Sequence, residues 1–327
     1  MKLTYRDAGV DTERAAAAIS ALKGLIASSH DANVMQGIGA FGSMYALGDN
    51  VLVAGTDGVG TKLILARDLE DYSQIGFDLV GMCVNDIICH GAKPLFFLDY
   101  LAMGALHETR YATVIESIVK ACQAAKVSLV GGESAEMPDM YQVDDIDLAG
   151  FCVGIVSRKK LITGNAIKAG DKLIGVASNG FHANGFTLIR KLIERYPTEL
   201  VPYQREFLRP TQLYTDLVLT LMNQIELKGI AHITGGGFFE NIPRVLPKGL
   251  SFVIRQSQLI TPKLFERVCA LANLNTIEAY STFNMGYGMV FVVAAGDVER
   301  FNAIAQKLGH QSNVIGEVKV GSEHTIL

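Results

Sequence analysis

No apolar stretch of this 327-residue chain reaches the length of a membrane span, and Met1-Lys2-Leu3-Thr4-Tyr5-Arg6-Asp7 lacks the core of a signal peptide. A cytoplasmic protein without membrane contact is the expectation. There is no basic run and the net charge is −4, which argues against nucleic acid as a partner. Charge itself is scarce, at 19% of residues against 49% hydrophobic, a balance that excludes a disordered or fibrous chain and suits an enzyme with a large buried fraction. Five cysteines, Cys83, Cys89, Cys122, Cys152 and Cys269, form no CxxC pair. Most lie in apolar runs and read as buried free thiols in a reducing compartment. Neither a short-period repeat nor a low-complexity linker interrupts the chain, whose length suffices for two domains with separate cores.

What is present reads as mixed strands and helices. Residues 12–28 form an alanine-rich helix opened by Asp11 or Thr12 and carrying Lys23. A glycine-rich segment at 35–42 and a strand at 51–56 follow. Residues 75–90 have the content and length of a buried helix, interrupted by Asn85-Asp86. Pro94–Tyr100 and Ala149–Val156 are strands, and 108–125 is a helix with Val114, Ile115, Ile118, Val119 and Cys122 on one face. From about residue 168 a second unit begins. Its strands are expected at Leu173–Ala177, 250–254, 288–294 and 314–320, and its helices at 184–196, 211–226, 238–246, 262–273 and 297–309. Such an order gives an α+β or α/β class, divided at 1–167 and 168–327, with the site between the two units.

The most informative stretch is Thr56-Asp57-Gly58-Val59-Gly60-Thr61-Lys62, which leaves the apolar run Val51-Leu52-Val53-Ala54. Glycines admit a ligand close to the backbone, an acid can hold a hard metal ion, and a lysine supplies a point charge for phosphate. The combination points to a nucleoside triphosphate with Mg²⁺. Gly55-x4-Gly60 resembles the start of a P-loop, but Thr61 separates the glycine from Lys62, so the spacing fails. Gly37-Ile38-Gly39-Ala40-Phe41-Gly42 satisfies GxGxxG, but a loop precedes it and a strand follows, the reverse of the dinucleotide fingerprint. Ordinary turn chemistry is the alternative for both loops.

Three acids share one signature, standing inside or at the end of apolar elements: Asp57, Asp86 and Glu133, the last after Leu129-Val130-Gly131-Gly132. An isolated carboxylate in low dielectric is costly unless it is paired or metal-bound, and three converging would make a Mg²⁺–phosphate site. Taken singly, Asp57 and Glu133 also fit turns, and Asp86 a cap or an ion pair. His182, within Ser178-Asn179-Gly180-Phe181-His182-Ala183-Asn184-Gly185, could contact phosphate or move a proton, although a lone loop histidine is more often solvated. His232-Ile233-Thr234-Gly235-Gly236-Gly237 precedes a helix whose first N–H groups suit an anion, unless the glycines only form a loop.

Together these segments resemble the phosphoribosylformylglycinamidine cyclo-ligases, also called aminoimidazole ribonucleotide synthetases. The blocks run in order along nearly the whole chain: Tyr5–Asp11, Gly55–Lys62, Met82–Ile87, Pro94–Tyr100, Gly131–Pro138, Ala149–Gly154, His182–Gly185, His232–Pro247 and Thr282–Met289. Departures are the fewer glycines of 35–42, Asn179 and Ala183 in place of frequent serines, and Asp139 in place of a frequent glycine. Thiamine-monophosphate kinases, selenophosphate synthetases, the hydrogenase-maturation dehydratase and formylglycinamidine ribonucleotide synthetases share the architecture. The absence of cysteine near either end of the chain disfavours the selenium and hydrogenase roles. A catalytically silent nucleotide-binding dimer is a rival of another class.

The resemblance implies an α+β subunit of two mixed α/β-layer domains, whose N-terminal domains pair through their sheets into a β-barrel in a homodimer. It implies the conversion of ATP and formylglycinamidine ribonucleotide into aminoimidazole ribonucleotide, ADP and phosphate. On the matching positions, Asp57, Asp86 and Glu133 become ligands of Mg²⁺–ATP, and Lys62 and Lys23 candidates for phosphate charge. Gly37, Gly39 and Gly42 belong to a loop covering the nucleotide, beside which Thr56, Gly58, Gly60, Thr61, Asn85, Gly131 and Gly132 stand. His182, Asn184 and Thr234, Gly235, Gly236 and Gly237 are candidates for the substrate.

Overall fold

The computed structural model describes residues 2–4, 7–9, 12–36 and 39–327. In the first half, helix α1 (Thr12–Ala27) precedes the hairpin of β1 (Ser43–Leu47) and β2 (Asn50–Gly58). Helices α2 (Lys62–Asp68) and α3 (Ile75–Ile88), strand β3 (Lys93–Met103), helix α4 (Glu108–Ala125) and strands β4 (Ser128–Glu136) and β5 (Ile146–Ser157) follow. These strands make one sheet in the order β1-β2-β5-β3-β4, antiparallel except for the β3–β4 pair, which α4 connects.

One face of this sheet carries α3, and α4 packs on α3. Val114, Ile118, Ala121, Cys122 and Ala125 of α4 are buried at helical spacing; of the face the pattern predicts, Val114, Ile118 and Cys122 are buried, Ile115 is half-buried and Val119 is exposed. The two helices touch through backbone. A Cβ at Gly76 would lie 2.1 Å from the Ile118 nitrogen, and the Gly76 N–H donates to Ser117 Oγ at 2.9 Å. Only glycine permits that approach.

The sheet is open, which corrects the expected barrel. Closure requires the first and last strands to exchange hydrogen bonds. Here three strands separate β1 from β4; among the described residues β4 pairs only with β3, and the outer side of β1 meets only the short segment 33–35. With α3 over one face, the five strands remain a layer with two edges.

The second half holds β6 (Lys172–Ala177), α5 (Phe186–Arg195), α6 (Pro197–Leu200), α7 (Gln204–Phe207), α8 (Thr215–Leu221), β7 (Gly229–His232) and α9 (Gly237–Asn241). It continues with β8 (Leu250–Ile254), α10 (Lys263–Ala272), α11 (Thr276–Thr282), β9 (Tyr287–Val293), α12 (Val298–Lys307), β10 (Ser312–Val320) and β11 (Thr325–Ile326). Its sheet runs β11-β8-β10-β6-β9-β7, with β9 buried at every position. Among the described residues no helix is long and apolar enough to cross a membrane.

The halves meet through α2 against α5 and α3 against α8, and one buried ion pair ties them. Lys62 and Asp78 are wholly buried, with Nζ 2.7 Å from Asp78 Oδ2. Lys62 Nζ also donates to the carbonyls of His182 (2.9 Å) and Arg209 (2.8 Å) in the second half. Asp78 Oδ1 accepts from the N–H (2.9 Å) and hydroxyl (2.7 Å) of Thr211. The helix expected over 211–226 therefore starts only at Thr215, because the backbone from Arg209 to Tyr214 is committed to the first half.

Burial lowers the proton affinity of Lys62 and raises that of Asp78, and their mutual attraction opposes both effects. Removing one partner strands the other charge in the interior. Lys62→Met is therefore expected to cost about 3–5 kcal/mol of stability. Denaturant titration checks this, and a midpoint equal to that of the unaltered chain would contradict it.

Candidate active site

Asp57 leaves the end of β2 on the same sheet face as α3, where Asp86 occupies the last turn. Placing a carboxylate beside a second one in a poorly hydrated cleft disfavours its charge. Burial first, and the charge of Asp86 second, push the Asp57 carboxyl up to about 6. Its only compensation from the backbone is the Gly58 N–H, 2.8 Å from Oδ1. Such a pair is relieved by a cation, and the donor set suits Mg²⁺, which takes one or two carboxylates and fills its octahedron with phosphate oxygens and water.

The third expected acid stands elsewhere. The register Asp57–Gly150–Asp99–Gly132 runs straight across the sheet, so Gly132 lies three strands from Asp57, about 14 Å at the usual strand spacing. Glu133 is the next residue and points to the opposite face, exposed on the edge strand β4 with Gly131 and Gly132. Rather than ending a strand, as the sequence pattern suggests, it sits within one. Among the described residues no three His, Cys, Asp or Glu side chains form a metal-holding group.

The second half brings a histidine to Asp86 instead. His232 ends β7, is fully buried, and sets Nδ1 2.8 Å from Asp86 Oδ1. Its Nε2 lies 3.5 Å from Asn85 Nδ2. The sequence signal was the one that marked Asp57: a polar residue closing an apolar strand before glycines. Asn184 reaches the same cleft, donating to Met82 Sδ of α3 at 3.7 Å, and its Oδ1 faces Gly235. Thr234 and Gly235 remain partly accessible, whereas Gly236 and Gly237 are buried.

Those glycines are conformational necessities. Gly236 and Gly237 have φ of +86° and +55°, and a Cβ at Gly237 would lie 1.9 Å from the Tyr280 carbonyl oxygen. The buried Asn241 amide donates to the Gly237 (2.7 Å) and Gly235 (3.2 Å) carbonyls and so clamps the turn. The helix expected over 238–246 ends there and continues as a 3₁₀ turn through Pro243.

Other expected residues have structural placements. Lys62 has Asp78 and two carbonyls as partners and does not face the cleft. His182 is wholly buried, not solvated. Its Nε2 accepts from the N–H groups of Asn179 and Gln212, both at 3.3 Å, and Nδ1 is unpartnered. Burial, then His232 and Lys62, hold it well below the usual histidine range, so it is neutral. Thr56 donates to the Gly150 carbonyl, and the Thr61 hydroxyl meets that of Thr187 at 3.0 Å, binding the turn at Gly58–Gly60 to the second half. Lys23 stands on the exposed face of α1.

In the 36–42 loop Gly37 lies outside the described residues, and Gly39, at φ +131°, faces open space. Gly42 is pinned: its N–H donates to His90 Nε2 at 3.2 Å, while His90 Nδ1 donates to the Ile162 carbonyl at 3.1 Å. The Arg244 guanidinium lies 5.3 Å over the Phe41 ring. The loop is thus pinned at Gly42, with Met35 before it bonded to Met44 of β1, while Gly39 between them faces open space.

The model of the AIR synthase related protein N-terminal domain matches residues 29–156, and that of the C-terminal domain matches 168–327. The phosphoribosylformylglycinamidine cyclo-ligase of Caldicellulosiruptor bescii is 45% identical over 338 residues, covering 99% of each chain. That of Alkaliphilus oremlandii is 45% identical and covers 100% of each. Among solved structures, thiamine-monophosphate kinase from Stenotrophomonas maltophilia covers 92% of this chain and 93% of its own at a TM-score of 0.66 and 16% identity. E. coli HypE, a hydrogenase maturation protein, covers 84% and 82% at 0.63 and 20%. At those identities the structures establish the fold alone.

The loop anchor carries a pH dependence. Burial first holds His90 below the usual 6.5, so the folded chain keeps it neutral where the unfolded chain takes up a proton. Its contribution is complete above pH 6.5 and declines as pH falls below it, by at most about 1.4 kcal/mol per pH unit. His90→Gln retains an acceptor for Gly42 and cannot titrate. Denaturation between pH 7.5 and 5 is expected to show the unaltered chain losing stability relative to this variant, and parallel curves would contradict the assignment.

Proposed function

The chain belongs to the AIR synthase related family, and we propose from that premise that it is a phosphoribosylformylglycinamidine cyclo-ligase. It closes formylglycinamidine ribonucleotide to aminoimidazole ribonucleotide at the expense of ATP. The observation that carries the reading in this chain's own geometry is the like-charged pair Asp57–Asp86, set between the halves of a chain whose relatives match it over its full length.

The substrate dictates what the site must do. A formamide oxygen is a poor leaving group. Its attack on the γ-phosphorus releases ADP and leaves an iminophosphate. The amidine nitrogen of the same molecule then attacks the formyl carbon, loses a proton, closes the five-membered ring and expels phosphate. Magnesium, when bound, neutralises charge on the transferring phosphoryl group. Asp57 and Asp86 would hold it. Asn184, Thr234 and Gly235 line the side of the cleft assigned to the substrate, where orientation supplies the proximity that ring closure needs. The loop at 39–42, free at Gly39, covers the nucleotide and keeps water from the γ-phosphate. Lys62 and His182 act at a distance from phosphate, by fixing the second half against α3.

ADP formation is expected to require formylglycinamidine ribonucleotide and to match imidazole product one to one. Asp57→Asn, which keeps size and removes charge, is expected to lower turnover by orders of magnitude while the fold survives. Equal ADP release with thiamine monophosphate or selenide would overturn the activity, and near-normal turnover of the Asn variant would overturn the metal assignment.

A cytoplasmic homodimer is part of the same reading. The free thiols support the compartment. Tyr100 and Phe151 on the helix-free face of the first sheet, with Val130 on β4, are exposed apolar side chains that support self-association. Sedimentation is expected to give twice the chain mass, and a stable active monomer would exclude it.

A further inference from the structure

Asp86 ends a relay of hydrogen bonds whose polarity follows from the backbone groups at its start. It starts at Tyr214, whose backbone N–H can only donate and points at Asn85 Oδ1, 3.2 Å away. The other end of that amide, Nδ2, lies 2.9 Å from the Gln212 carbonyl, which can only accept. Both contacts fix the Asn85 amide in one orientation, since a flip would face donor with donor and acceptor with acceptor. The second hydrogen of Nδ2 is then presented to His232 Nε2 at 3.5 Å. That nitrogen must offer its lone pair, so the imidazole carries its proton on Nδ1 and donates it to Asp86 Oδ1 at 2.8 Å.

From this we infer that His232 is a positioning residue for Asp86, locked by Asn85 as the Nδ1–H tautomer so that Asp86 keeps one oxygen aimed at the cation. The inference rests on the assignment of Asp86 to Mg²⁺ made above. His232 is wholly buried and acts through the carboxylate it orients. An N–H donor on a rigid, buried ring fixes the carboxylate through one directed hydrogen bond. The relay alternates between the halves: Tyr214 and His232 belong to the second, Asn85 and Asp86 to the first. The cation site is therefore formed only when the halves are docked.

Asparagine places an amide N–H where Nδ1 lies, and glutamine places one where Nε2 lies. Calorimetric titration with Mg²⁺ alone is expected to show His232→Ala weakened about 10–100-fold, the usual effect of losing a residue that orients a ligand. His232→Asn should bind close to the unaltered chain, and His232→Gln as weakly as alanine. On the unaltered chain, ¹⁵N spectra of labelled histidine should report a pyrrole-type Nδ1 and a pyridine-type Nε2, a readout independent of whether any variant folds. A proton on Nε2, Mg²⁺ affinity indifferent to His232→Ala, or restoration by glutamine rather than asparagine would each overturn the inference. If cyclisation proceeds while affinity ignores all three substitutions, the positioning role fails and the activity stands. If the affinity pattern holds but no aminoimidazole forms, the activity fails and the positioning role stands.

Discussion

The buried ion pair of Lys62 and Asp78 sets the geometry on which the cleft depends. Two charges withdrawn from water are tolerable only when attraction and hydrogen bonds offset the lost hydration. Here that offset comes largely from the second half, through the carbonyls of His182 and Arg209 and the N–H and hydroxyl of Thr211. Each partner is thereby located to within a hydrogen bond. The 178–185 loop and the 209–214 segment inherit their positions from a lysine and an aspartate in the other half. Gln212 and Tyr214 then fix Asn85, and the histidine that meets Asp86 is reached through that amide.

Around this frame the charges are distributed unevenly. The charge of Asp86 disfavours that of Asp57, and among the described residues no lysine or arginine forms an ion pair with either. The lysine nearest in sequence to Asp57 is turned into the interior and saturated by its own partners. The positive charge that relieves the acids must therefore enter with the ligand. A site built so is unfavourable when empty and favourable when filled, and part of the binding free energy relieves repulsion already present.

The sequence reveals elements better than it reveals partners. The strand ending at Asp57, the helix carrying Asp86 and the buried face of α4 all follow from local periodicity. Asp78 escapes such reading because it lies one turn into a largely apolar helix, its partner Lys62 stands in another helix, and Thr211, which donates to it twice, is 133 residues away. His182 reads as a loop histidine because nothing nearby in sequence announces the N–H groups of Gln212 or the carbonyl's bond to Lys62. Its φ of +59° and complete burial are tertiary facts. Glu133 was legible as an acid after glycines, but the strand continues through those glycines to Glu136, and only the register across three strands shows which face it takes. The open sheet likewise depends on which strands are neighbours, a matter that period-2 alternation leaves unspecified.

The distribution of those partners along the chain has a consequence for how the protein is made. A ribosome delivers residues in order, and domains generally fold as they emerge. In this chain α2 and α3, with Lys62 and Asp78, emerge long before His182, Arg209 and Thr211. Until those residues leave the exit tunnel, the first half cannot close its interior around two charges that have only each other. Its α3 surface must stay hydrated, and the nascent first half is held short of its final packing. Completion of the first half is thus timed by synthesis of the second, and a chain truncated before Thr211 leaves the pair without the groups that make its burial tolerable.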